Sequence, residues 1–238
     1  MRSYRFPSLL LLSLITPAFS TAAPANSSAN KQALQLVNDL IGTWRGTGEP
    51  SQGTREEKQR GFWTETVAWE WQFKGDEVFL KATFEKSKNY TGGELRYVPS
   101  KEFYRFTLWT VGKEMLTFDG TFENKKLILE RTDAKKGDTQ RLTFNLLHDN
   151  RHVYRYEVKA AGRTNFTPIY QVGATKEGGA FASGDGKPEC VVSGGLGTIK
   201  VEYRGKTYYV CCSGCRDEFK DEPEKYIKEF EARKAKGK

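Results

Sequence analysis

The middle of the chain alternates apolar and polar residues with a period of two. The runs Trp63 to Trp71 and Val78 to Phe84 each place one parity of residues on a single face, which is typical of half-buried β-strands. Turn sequences such as Lys74-Gly-Asp and Glu123-Asn-Lys separate these runs. Short connections favour antiparallel neighbours, so about nine or ten strands at this spacing predict a sandwich or a closed up-and-down barrel.

The last quarter of the chain follows a different pattern. Two β-prone runs, Ile199 to Tyr203 and Thr207 to Val210, flank Arg204-Gly-Lys, which predicts a tight hairpin. A helix is expected from Ser213 or Gly214 through Phe219, and a second helix from Pro223, because proline favours the first helical position. The predicted fold class is therefore mainly β, an antiparallel barrel followed by a small ββα cysteine-rich module.

The first residues resemble a secretory signal peptide. A short basic segment precedes the apolar run Ser8 to Ile15, which is too short to span a bilayer. We expect residues 1–23 to be removed and the protein to be periplasmic or extracellular, with no membrane span in the mature chain. Removing Arg2 and Arg5, with no acid lost, lowers the formal charge from +8 to +6. This excess is spread along the chain, so it does not indicate a nucleic-acid partner.

Composition shifts predict the domain organisation. The five tryptophans all precede residue 110, whereas the four cysteines all follow residue 189. The stretch between these regions is rich in glycine, which favours a linker. We expect a polar lead at 24–39 with a short helix over Ala33 to Leu40, a barrel domain at 40–172, a linker at 173–187, a cysteine module at 188–231 and a basic tail at 232–238. The tail is expected to be solvated and to have no partner.

The segment Gly42-Thr-Trp44-Arg-Gly-Thr-Gly48, after a short helix, resembles the start of lipocalin-like (calycin) barrels. The resemblance implies that Trp44 plugs the closed end of a barrel. It also implies room for one small ligand, although Trp63, Trp69 and other aromatic side chains supply enough volume to fill the interior. A ligand cavity and a packed core are both open at this point.

Three cysteines have a spacing that suits a metal ion. Cys190 precedes the hairpin, Cys211 ends its second strand, and Cys215 lies in the first turn of the next helix. Thiolates are strong ligands for zinc and copper(I), and the helix dipole favours the anionic form of Cys215. Cys212 could add a fourth thiolate, point away as a spare thiol or form a disulfide.

This segment also resembles the YHS/TRASH family of metal-binding modules. The match includes Cys190, the hairpin Val201 to Val210, the Cys211-x3-Cys215 pair and the tail Phe219 to Tyr226. The resemblance implies heavy-metal sensing, transport or trafficking, with Cys190, Cys211 and Cys215 as ligands. Asp217, Glu189, Cys212 or a water could fill a fourth position.

Three other roles remain open for the cysteines and the two histidines. Four cysteines in an exported protein also fit a disulfide framework. Cys212-Ser-Gly-Cys215 has the spacing of a thiol oxidoreductase. His148 and His152 flank a predicted turn and could share a metal ion, if their rings face each other across the strand pair.

The favoured function is that of an exported metal-binding protein that sequesters, delivers or senses one ion of zinc, copper or another heavy metal, with or without a metal-transport partner protein. No P-loop, Gly-x-Ser-x-Gly, His-Glu-x-x-His or Rossmann glycine pattern occurs. An enzyme is therefore not predicted. The main alternative is a barrel that carries a small apolar ligand, with the cysteines as a structural disulfide staple.

Overall fold

The N-terminal part of the protein is a closed antiparallel barrel. A computed structural model describes residues 23–148, 150–177 and 188–236. Within them, ten strands pair in the order β1-β10-β9-β8-β7-β6-β5-β4-β3-β2, and β2 pairs with β1 to close the sheet. The strands are β1 Gly42–Pro50, β2 Trp63–Lys74, β3 Glu77–Glu85, β4 Tyr90–Val98, β5 Phe103–Thr110, β6 Met115–Glu123, β7 Lys126–Thr132, β8 Thr139–His148, β9 Arg151–Lys159 and β10 Thr167–Lys176.

The period-two pattern explains this closure. Along β2, Val67, Trp69 and Trp71 are buried, while the residues between them are partly exposed. The first and last strands pair over seven positions, from Trp44 with Lys176 to Pro50 with Tyr170. Pairing of the two ends leaves the sheet without a free edge, and the predicted closed barrel is confirmed.

Aromatic rings fill much of the barrel interior. Trp69 stacks on Phe106 with 5.4 Å between ring centroids, and Phe144 stacks on Tyr154 at 5.2 Å. At the end where β1 begins, the buried Trp44 indole donates to the carbonyl of Leu40 at 2.7 Å. Trp44 therefore packs as a structural plug.

A buried carboxylate lies towards the other end of the barrel, which we call the far end. Glu65 accepts hydrogen bonds from the Tyr154 hydroxyl at 2.6 Å, the Ser87 hydroxyl at 2.7 Å and the Trp63 indole at 2.9 Å. Burial, followed by the charge of Glu65, raises the pKa of Tyr154 well above its ordinary value. The Tyr154 hydroxyl therefore stays protonated and remains a donor to Glu65.

The two histidines do not face each other. His152 is buried, pairs with Leu146 and lies 4.3 Å from the Trp44 ring, whereas His148 is exposed and pairs with Arg151. A register shift between Leu146 and His148 puts the two side chains on different faces. The possibility of a metal shared by the histidines is therefore wrong.

The N-terminal helix differs from the predicted one. Helix α1 spans Ala23–Gln35, and a separate 3-10 helix spans Asn38–Leu40. The helix begins ten residues earlier than expected, and Lys31 holds part of the added length through its ion pair with Glu229 and its position over the Tyr226 ring. Leu34 and Leu40 are fully buried, and the Tyr104 hydroxyl donates to the Ala33 carbonyl at 2.7 Å. A second short helix, α2, spans Arg55–Arg60.

Strand β10 also runs further than expected, to Lys176, because Gly173 and its neighbours pair with both β1 and β9. The proposed linker at 173–187 therefore begins inside the barrel, and its residues 178–187 lie outside the described residues. The signal-peptide prediction concerns residues 1–23, of which only Ala23 is described. No helix in the described ranges is long and apolar enough to cross a membrane.

The C-terminal module has the predicted ββα order followed by a second helix. Strands β11 Ile199–Tyr203 and β12 Lys206–Val210 form a hairpin, and helices α3 Ser213–Asp221 and α4 Pro223–Lys236 follow. Helix α4 starts at the predicted proline but runs to Lys236, so most of the predicted basic tail is helical.

Candidate metal centre

A tight hairpin positions the first part of the site. Arg204 and Gly205 form its two-residue turn with φ values of 47° and 74°. Two successive positive φ values are typical of a type I′ turn, which matches the twist of antiparallel strands. The hairpin ends at Val210, so Cys211 leaves the sheet directly after a buried residue.

Cys190 is held beside this hairpin by backbone pairing. It forms a parallel bridge with Tyr209, and the N–H of Val191 donates to the Tyr209 carbonyl at 2.8 Å. The N–H of Gly194 returns to the Cys190 carbonyl at 2.9 Å. These bonds bring a residue that is distant in sequence next to Cys211.

The start of helix α3 supplies the other two cysteines. Cys212 is the N-cap residue with extended backbone, and its carbonyl accepts from the N–H of Arg216 at 3.0 Å. Cys215 is the third residue of the helix and is fully buried. The unpaired N–H groups and the dipole of the helix N-terminus favour negative charge at this position, whereas burial of the thiol opposes it.

The sulfur atoms of Cys190, Cys211 and Cys215 all lie within 4.8 Å of one another. The Cys211 and Cys215 sulfurs are 3.5 Å apart. Thiolates that share one tetrahedral zinc at bonds of about 2.3 Å have sulfurs roughly 3.8 Å apart. The three residues therefore fit a metal ion, and all four cysteines are free in the structure.

Burial and mutual hydrogen bonds perturb the thiols in opposite directions. Hydrogen bonds with Cys211 and Cys215 lower the pKa of Cys190 below its ordinary value, whereas burial raises the pKa of Cys215 well above its ordinary value. The cluster therefore stabilises negative charge on some of its thiols and opposes it on others.

Cys212 lies at the edge of this group. Its sulfur is 3.9 Å from that of Cys211 but does not belong to the set of three that lie mutually within 4.8 Å. Instead it accepts a hydrogen bond from the backbone N–H of Trp71, on barrel strand β2, at 3.4 Å. The ligand roles of all four cysteines remain predictions.

The two carboxylates considered as a fourth ligand have other partners. Glu189 forms an ion pair with Arg233 at 2.9 Å, and the largely exposed Asp217 forms one with Arg216 at 3.0 Å. Neither belongs to the group of residues that could hold a metal in the described part of the chain.

Sequence reasoning missed two residues around the site. The N–H of Ser193 donates to the Cys190 sulfur at 3.4 Å, and the Ser193 hydroxyl lies 3.3 Å from the Cys211 sulfur. Arg233, assigned to a tail without a partner, donates to the carbonyls of Cys190 and Val191 at 3.3 and 3.0 Å. The expectation of a solvated end is wrong for Arg233, because α4 continues far enough to carry this residue over the Cys190 loop.

The helical spacing of the C-terminal residues could have identified Arg233 as part of a packed helix face. Tyr226, Phe230 and Arg233 recur at intervals of four and three, so they share one face of a continuous helix. Ser193 has no comparable signal, because it lies in the loop Ser193-Gly-Gly-Leu-Gly197, where no periodicity applies.

Comparison with known proteins agrees with this description of the module. Residues 197–229 match the YHS domain family, so the C-terminal part of the chain contains a YHS domain. The matched residues include Cys211, Cys212 and Cys215, and the fold adds Cys190 from outside them.

No curated protein matches the chain. Among solved structures, one titled "Structure of EF1p2_mFAP2b bound to DFHBI" is similar at 11% sequence identity and a TM-score of 0.26, over 62% of this chain and 98% of that one. A TM-score this low supports no conclusion about function.

Proposed function

We propose that this is an exported, non-enzymatic protein that binds one zinc or copper(I) ion through Cys190, Cys211 and Cys215, in metal sequestration, delivery or sensing at the cell envelope. The observation that carries the proposal is the set of three buried sulfurs within 4.8 Å of one another. Export is inferred from the N-terminal sequence alone.

The chemistry of the donor set supports a transition metal. Thiolates are soft ligands that favour zinc and copper(I) over calcium or magnesium. A bound ion would supply the positive charge that balances several thiolates in a buried space. The contacts from Ser193 and Arg233 hold the Cys190 loop in the position that ligation requires.

The carrier alternative has less support. Stacked rings fill much of the barrel interior, and a cavity of about 830 Å³ lies outside it, against α1 and α4. A disulfide staple would require sulfur contacts of about 2 Å, whereas the Cys211 and Cys215 sulfurs are 3.5 Å apart.

The test is elemental analysis and free-thiol counting on protein purified anaerobically from an exporting host. We expect about one equivalent of zinc or copper in the unsubstituted protein and none in a Cys211→Ser/Cys215→Ser variant, because thiolates supply most of the binding energy. Protein with no metal, no free thiols and no ability to load metal after reduction would contradict the proposal.

A further inference from the structure

The thiol cluster lies where the module meets the barrel. Strand β1 begins opposite Trp69, so β2 runs past the end of its neighbour at Trp71. The Trp71 N–H donates to the Cys212 sulfur, and the Ser213 hydroxyl donates to Glu70 at 2.8 Å. The N-terminus of α3 thus covers the backbone of Trp71 beyond the end of β1 and also pairs with the Glu70 side chain.

A glycine permits this close approach. A Cβ atom added at Gly214 would lie 1.8 Å from the carbonyl oxygen of Trp71. No side chain fits in that space without moving the helix away from the strand. Contact with the barrel therefore requires glycine at position 214, between Cys212 and Cys215.

A chain of hydrogen bonds joins the barrel to the thiols on a second side. The Trp71 indole donates to the Asn38 side-chain oxygen at 3.0 Å, and the Asn38 amide donates to the Ser193 carbonyl at 3.0 Å. The Gln35 amide donates to the same carbonyl at 2.7 Å. Ser193 in turn contacts the sulfurs of Cys190 and Cys211.

The thiols are shielded from solvent, whereas the interface between the module and the barrel contains a cavity further away from them. All four cysteines are at most 8% exposed. Further along the same interface, the 830 Å³ cavity separates α1 from α4 and is spanned by the ion pair between Lys31 and Glu229 at 2.9 Å. Tight contact between the two parts is thus concentrated around the thiols.

We propose that the barrel is the cover of the metal site, and that Asn38 is a positioning residue through which docking of the module controls the rate of metal exchange. This inference rests on the proposed function. The thiols are buried, the Cys212 sulfur lies against Trp71, and Asn38 ties the Ser193 loop to the barrel. An ion or an acceptor protein therefore reaches them only after the module moves away from the end of β2. Contacts in the barrel therefore set how long the ion is retained.

The experiment measures zinc dissociation from the zinc-loaded full chain into excess chromogenic chelator. Asn38→Ala removes the bonds to Trp71 and Ser193 while every thiol remains. We expect one bound zinc per chain and dissociation about tenfold faster, in the range seen when an outer-shell partner of a metal ligand is lost. The matched control, Asn165→Ala, changes an exposed asparagine at the far end of the barrel and should leave the rate unchanged.

The Asn38→Asp variant distinguishes a change in docking of the module from misfolding of the chain. It keeps an acceptor for the Trp71 indole but loses the amide that donates to Ser193, so we expect a similar acceleration with thermal unfolding of the zinc-free protein unchanged. Equal dissociation rates for the unsubstituted protein and both Asn38 variants would overturn the inference while leaving metal binding intact. An unsubstituted protein that retains no zinc or copper(I) would instead contradict the proposed function and the inference with it.

Discussion

The barrel and the module both bury polar side chains, but they satisfy them differently. In the barrel, Glu65 accepts three hydrogen bonds from oxygen and nitrogen donors. In the module, the buried thiols contact chiefly one another, Ser193 and the Trp71 backbone. Thiols are weak donors and acceptors, so such contacts add little stability. The difference fits a structural role for the barrel cluster and agrees with the ligand role proposed for the thiols.

The largest effect is expected from removing the barrel carboxylate. Glu65→Ala leaves buried donors of Tyr154, Ser87 and Trp63 without their acceptor, which should lower the free energy of unfolding by about 3 kcal/mol. Urea denaturation measures this change, and the metal content should stay at one equivalent. The control is Glu85→Ala, which removes an exposed carboxylate and should change stability by less than about 0.5 kcal/mol. A loss of metal in Glu65→Ala would remove the distinction between the two clusters.

The second largest effect is a loss of folding stability at acid pH. Burial, followed by the charge of Lys176, lowers the pKa of His152 to about 3, so below pH 6.5 the unfolded chain binds a proton that the folded protein does not. Stability therefore falls as the pH drops from about 6.5 towards 3, and at pH 5 this costs about 2 kcal/mol. Urea titrations should show that His152→Leu removes this part of the pH dependence. His148→Leu changes the exposed histidine and should retain it, and equal pH profiles for the two variants would contradict the assignment.

Local patterns predicted much of the fold. Period two in β2 predicts a half-buried strand, and Arg204-Gly205 predicts the turn of the hairpin, because these signals depend on a few neighbouring residues. Pro223 likewise marks the start of α4. Cys190, Cys211 and Cys215 could be grouped because the hairpin and the next helix bring them to one place.

Contacts between distant segments were not predictable in this way. Helix α1 forms where apolar residues meet the barrel, although its Asn and Ser residues favour a polar coil. Asn38 and Ser193 are polar residues in a short helix and a loop, and their roles depend on a partner about 155 positions away. Nothing in either segment alone indicates that pairing.

A smaller effect should distinguish Cys212 from the other thiols. Its sulfur lies outside the group of three and accepts from Trp71, so we expect Cys212→Ser to keep one bound zinc with an affinity about tenfold lower. Competition with a chelator of known affinity measures the change. The matched variant, Cys215→Ser, should abolish binding at the same chelator concentration. If both substitutions abolish binding, Cys212 is a ligand and the site has four thiolates.

The smallest effect should come from the C-terminal helix. Arg233 joins Glu189 and the carbonyls of Cys190 and Val191, so it holds the loop that carries Cys190 through backbone and carboxylate contacts. Arg233→Ala should lower zinc affinity about threefold, since a partly exposed charged contact contributes roughly 0.7 kcal/mol. Lys234→Ala is the neighbouring control, because that ammonium lies over the Phe230 ring and not over the loop. Equal affinities in the two variants, measured by chelator competition, would show that Arg233 does not position Cys190.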